Sequence, residues 1–128
     1  MRHLIPVLAF LASPLFADQV DPSEIAGVPA ADVVFLGELH DNPWHHENQT
    51  TMVATISPKA IVFEMLTPDQ ASLVTDALLP NQDALEKALG WNDSGWPDFS
   101  MYYPIFREAA GAGFYGAQVS RADVRDAI

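Results

Sequence analysis

The chain has 128 residues, a formal net charge of −11 and no cysteine. That length is one domain's worth or less. The acidic balance makes a poor surface for nucleic acid or anionic lipid, since both need positive charge. The missing cysteines exclude disulfides, thiolate ligands, a cysteine nucleophile and a lipoprotein anchor.

Residues 1–17 read as a secretory signal peptide. Arg2 and His3 form a short basic region, "LIPVLAFLASPLF" is the apolar core, and Ala17 precedes a plausible cut before Asp18. The apolar core is too short and too broken by proline to span a membrane, and no later segment is suited to that. The expectation is an exported protein, periplasmic in a Gram-negative source. Without Arg2 the chain keeps 5 basic against 17 acidic residues, a net of −12. Such a surface is compatible with cation binding, and equally with plain solubility.

Residues 18–30 are small and polar and form an N-terminal arm; a single domain is expected over 31–128. "ADVVFLGE" (31–38) is a short apolar run, expected as a strand buried on both faces. "DNPW" offers Asn42 or Asp41 as N-cap and Pro43 as first helical residue, so a helix is expected to about Ile56. "AIVFEM" (60–65) is a second buried strand. "TPDQ" (67–70) is a capping box opening a helix to about Leu79. "NQDALEKALG" is a second short helix with Asn81 as cap and Gly90 as stop. An aromatic loop over 91–104, a helix over 103–110 and a third strand over 113–119 follow. "SRADVRDAI" starts a further helix. The order predicts an α/β fold, a three-layer βαβ series with a mainly parallel sheet. The thin sheet and the ending within a helix's first turn lead to the expectation of a truncated domain, the front part of a longer protein.

Chemistry concentrates in "GELHDNPWHHENQ" (37–49). Three of the chain's four histidines lie between His40 and His46. In a parallel sheet, ligands bind beyond the carboxyl ends of the strands. Glu38, Glu64 and Gln118 should therefore converge at one rim, with His40, His45 and His46 above it. Imidazole is a common nitrogen ligand for zinc, copper and iron, and the positive end of a helix favours the uncharged ring. Glu38 and Glu64 are candidate ligands, partners of ligands or a general base, because a carboxylate ending an apolar run is costly to bury unpaired. Asp41 and Asn42 read as caps, and Gly37 as a tight turn or close backbone approach. Trp44, Trp96 and Met65 are candidate apolar walls. Tyr102 and Tyr103 are candidate haem ligands, because tyrosine can hold haem iron; packing is the other reading for these aromatics. No nucleophile elbow, P-loop, dinucleotide fingerprint or H-E-x-x-H motif is present.

These blocks, "VVFLGELHDNPWHHENQ", "AIVFEML", "GWNDSGWPDFSMYYPIFREA" and "GAQVSR", resemble the ChaN-like haem-binding family in motif and order, over roughly residues 31–123. That family is distantly similar to Tiki, TraB and erythromycin-esterase-like proteins, which share the "GE-x-H" element, here Gly37, Glu38 and His40. The resemblance implies an exported haem-binding protein linked to iron acquisition, on an α/β fold of about twice this length. It further implies a homodimer that brings haems together, with tyrosine ligating iron and histidine assisting. Many members are lipoproteins, whereas this chain has no cysteine to acylate. Cofactor-binding candidates are thus His40, His45, His46, Tyr102, Tyr103 and Trp44. The alternative is a metal-dependent hydrolase, in which Glu38, His40 and Glu64 hold zinc or manganese and activate water.

Overall fold

The structure is a computed structural model and describes residues 21, 24, 31–119, 124 and 125. The expected leader, most of the arm and most of the last expected helix lie outside the described residues.

Helix α1 (Pro43–Ile56) begins as its capping residues dictate. Asn42 takes extended backbone and its side chain accepts from the Trp44 N–H, while Pro43 occupies a position where a missing N–H costs nothing. The helix ends at Ser57, whose N–H donates to the Val53 carbonyl. Strand β1 (Ala60–Phe63) then pairs in parallel with β2 (Gly113–Gly116), with Ile61 opposite Phe114 and Phe63 opposite Gly116. Between the strands run α2 (Pro68–Ala71), α3 (Gln82–Leu89) and α4 (Phe99–Glu108). The chain is therefore α/β with a parallel sheet. No helix among the described residues is long and apolar enough to cross a membrane.

The core is aromatic and lies between α4 and one sheet face. Phe99, Tyr102, Ile105 and Phe106 fall at helical spacing and are all buried. Phe106 stacks on Phe63 with ring centres 4.2 Å apart and reaches Phe114 at 6.0 Å. Helix α1 also packs on α4. On the opposite sheet face Val62 and Tyr115 are exposed. At the end of β2, a Cβ on Gly116 would overlap the carbonyls of Leu66 and Thr67. Glycine there lets the strand pass directly against the entry to α2.

Three expectations are corrected. Residues 31–38 form no strand; Phe35 is 93% exposed and Val33 is also exposed. An apolar, β-branched run becomes a strand only where a neighbouring edge accepts its ladder, and among the described residues β1 pairs only with β2. Helix α2 stops after four residues rather than reaching Leu79. Its capping box forms as read, but Ser72, Val74 and Thr75 follow, and hydroxyl and β-branched side chains favour leaving the helix. Helix α4 begins four residues earlier than expected, at Phe99, because the Asp98 side chain accepts from the Ser100 N–H. Pro104 lies inside that helix and leaves the Ser100 carbonyl without its usual helical partner, a cost of about 3 kcal/mol. Burial of the four large apolar side chains beside it offsets that.

Candidate functional site

The loop before α1 turns tightly, with the Asn42 N–H donating to the Leu39 carbonyl at 2.9 Å. This turn brings Glu38 and His40 back over the first turns of α1, where His46 is buried. Helix α4 supplies Tyr102 from the other side, because its apolar stripe faces the core. Tyr102 sits against Trp91 at 4.9 Å and against the His46 ring at 4.2 Å.

Glu38 is the centre of the cluster, with its side chain 8% exposed. Its Oε1 accepts from His40 Nδ1 at 2.7 Å and from the Tyr102 hydroxyl at 3.1 Å. The Tyr102 hydroxyl has one proton and also lies 3.2 Å from the His40 carbonyl, so it bridges the two. His46 Nδ1 stands 3.2 Å from Glu38 Oε2, close enough for ion pairing but not aligned as a hydrogen bond. Burial and the nearby Glu38 carboxylate push the Tyr102 phenol well above its ordinary range.

The three neighbouring histidines thereby acquire different roles. His46 is 1% exposed. Its Nε2–H donates to the His40 carbonyl at 2.9 Å, since a carbonyl only accepts. His45 is half-buried, and its Nδ1 accepts from the Leu39 N–H at 2.8 Å, which puts its ring proton on Nε2. It borders a cleft of about 250 Å³ that includes Phe35, Leu36, Gln49 and Met52. His40 has its side chain 41% exposed. Its Nδ1–H donates to Glu38, and its Nε2 makes no hydrogen bond and keeps its lone pair. The His40 ring meets Trp96 edge-on at 4.8 Å.

The remaining candidates lie apart from this cluster. Glu64 follows β1, is exposed and hydrogen-bonds none of these residues; only its charge reaches Tyr102. The expected rim of Glu38, Glu64 and Gln118 does not assemble, because 31–38 does not join the sheet as a strand. Tyr103 is half-buried and its hydroxyl donates to the Leu79 carbonyl at 2.9 Å, away from Glu38. Trp44 is 71% exposed, Met65 is buried in the core, and Trp96 is half-buried with its indole N–H lacking a partner. Gly37 has no positive φ, and a Cβ there would meet nothing, so neither a strained turn nor a close approach explains it. The link between Glu38 and Tyr102, 64 positions apart, has no local signal in the sequence.

Among the described residues, no three His, Asp or Glu side chains are placed to share a metal ion. Glu38 meets His40, but Glu64 is exposed and hydrogen-bonds neither of them, so the zinc or manganese alternative of Glu38, His40 and Glu64 finds no support in the geometry. A haem asks for less from the chain: one axial donor and an apolar flank. His40 Nε2 has a lone pair that could serve as such a donor, and Leu39 and Trp44 are exposed apolar groups close by in sequence. No curated protein and no solved structure matches the chain. Residues 25–128 match the family model described as haem-binding uptake, Tiki superfamily, ChaN, and the chain belongs to that haem-binding family.

Proposed function

We propose that this is an exported haem-binding protein of the cell envelope, taking part in iron or haem acquisition, and that it holds haem iron through His40 Nε2. The observation that carries the reading is the sorting of the histidines: of His40, His45 and His46, only His40 combines a side chain that is 41% exposed with a ring nitrogen whose lone pair is unused. Haem, when bound, supplies an iron that accepts such a nitrogen. Trp44 and Leu39 provide the apolar contact that a porphyrin needs. Tyr102 serves better as a donor to Glu38 than as an iron ligand, because ligation needs a phenolate and its surroundings favour the phenol.

Haemin titration of the full chain, followed at the Soret band, tests this reading. Wild type saturates, at one haem per chain or one per two chains if a homodimer shares it. His40→Ala loses at least as much affinity as the ~10–100-fold typical of losing a ligand's supporting partner. His45→Ala changes little. Equal binding by wild type and His40→Ala would remove His40 from the site. Export rests on the leader-like residues 1–17, and a mature N-terminus at Asp18 by mass spectrometry checks it.

A further inference from the structure

We infer that residues 33–36 of one copy of this chain add as a strand to the free edge of β1 in a second copy. The added strand runs parallel to β1, and an ion pair between Asp32 and Lys59 fixes its register. The contact involves no haem and is independent of which residue holds iron.

The ladder defines the free edge. The Lys59 carbonyl accepts from the Gly113 N–H, and the Phe63 carbonyl from the Ala117 N–H. A parallel ladder uses alternate residues, so Lys59, Ile61 and Phe63 turn their backbone groups to β2 while Ala60 and Val62 turn theirs away. Among the described residues nothing pairs with those outward groups, and both residues are exposed. Four uncharged residues with open backbone groups on one side are a template for another strand.

The same chain carries a strand-like segment that lacks an edge. Residues 33–36 are Val, Val, Phe and Leu, three of them β-branched or aromatic. Among the described residues their backbone makes one hydrogen bond, the Leu36 carbonyl accepting from the Gln49 side chain at 3.3 Å. The run equals Ala60–Phe63 in length. Charge selects its direction. Parallel alignment of 33–36 with 60–63 sets Asp32 beside Lys59, whereas antiparallel alignment sets Asp32 against Glu64. The first pair attracts and the second repels. Asp32 and Lys59 are exposed, and neither forms an ion pair among the described residues. In the parallel register Phe35 joins Val62 and Tyr115, both exposed in the single copy, in one apolar row. Val34 and Leu36 fall on the core side with Ile61 and Phe63. Each copy leaves both the run and the edge unused, so reciprocal exchange satisfies both and closes a two-fold pair.

The test is sedimentation equilibrium of the haem-free full-length chain, with the variants Asp32→Lys and Lys59→Asp. Wild type should pass from monomer to dimer as its concentration rises. Each variant alone sets like charges together at both contacts of the pair and should weaken association about tenfold. An equimolar mixture of the two variants restores opposite charges at both contacts and should dimerise as wild type does. Such rescue arises only if the contact lies between copies, since a run docked on its own sheet gains nothing from the mixture. Both side chains are exposed, so neither change reaches the core, and unaltered thermal unfolding of each variant checks this. Hydrogen exchange of the wild-type dimer should slow at the Ala60 and Val62 amides. Wild type that stays monomeric to its solubility limit, variants that dimerise like wild type, or a mixture that stays monomeric would each overturn the inference.

Discussion

The Glu38 carboxylate and the His40 ring meet at 2.7 Å, and this contact leaves the lone pair of His40 Nε2 unused on a side chain that is 41% exposed. His46, six positions on, is buried behind them and joins the His40 carbonyl to the neighbourhood of Glu38.

His46 should matter for stability first. His46→Ala leaves a cavity beside Tyr102 and strips the His40 carbonyl of a donor. We expect a loss of about 1–3 kcal/mol in urea unfolding, the range for stranding a buried polar group. An unchanged midpoint would mean that the ring is not held as described.

The Tyr102 phenol makes stability sensitive to alkali. Its folded-state value is raised above its ordinary value of 10.0. Below pH 10 the phenol is protonated whether the chain is folded or unfolded, and its contribution is fully present. Above pH 10 the unfolded chain releases this proton while the folded chain keeps it, so stability falls as pH climbs toward the folded value. Unfolding curves from pH 8 to 11.5 should show this decline in wild type and a shallower one in Tyr102→Phe. Parallel curves for the two proteins would contradict it.

The two glycines beside functional elements should respond differently. Gly116→Ala drives a methyl group into the carbonyls of Leu66 and Thr67 and should cost about 1–3 kcal/mol. Gly37→Ala meets nothing and should stay within about 0.5 kcal/mol of wild type. Thermal unfolding of both variants side by side reads the difference.

Trp44 separates binding from folding. The indole is exposed and contributes nothing to the core. Trp44→Ser should leave the unfolding midpoint within error while weakening haemin binding severalfold, through lost apolar contact. Undiminished binding would take Trp44 out of the proposed haem wall.

Capping chemistry carried much of the local structure on its own. Asn42 with Pro43, Thr67 with Gln70, and Asn81 with Gly90 each start or stop a helix where their side chains and backbone freedom require. These are short-range effects, complete within a few residues. The parallel order of β1 and β2 was legible from two apolar runs separated by helices, although each strand is shorter than its run, Ala60–Phe63 within 60–65 and Gly113–Gly116 within 113–119. The extent of α2 was not, since four residues hold only while their neighbours agree.

The sequence by itself determined the helix starts, the α/β class, the family motifs and the crowding of histidines near Glu38. The tertiary structure decided whether 31–38 becomes a strand and which histidine is buried and which keeps an unused lone pair. It also decided that Tyr102 joins Glu38 from 64 positions away while Glu64 stays apart. The reason is physical. A cap is satisfied by atoms already adjacent in the chain, whereas a strand edge, a buried carboxylate and a ring nitrogen take their partners from whatever the fold brings alongside.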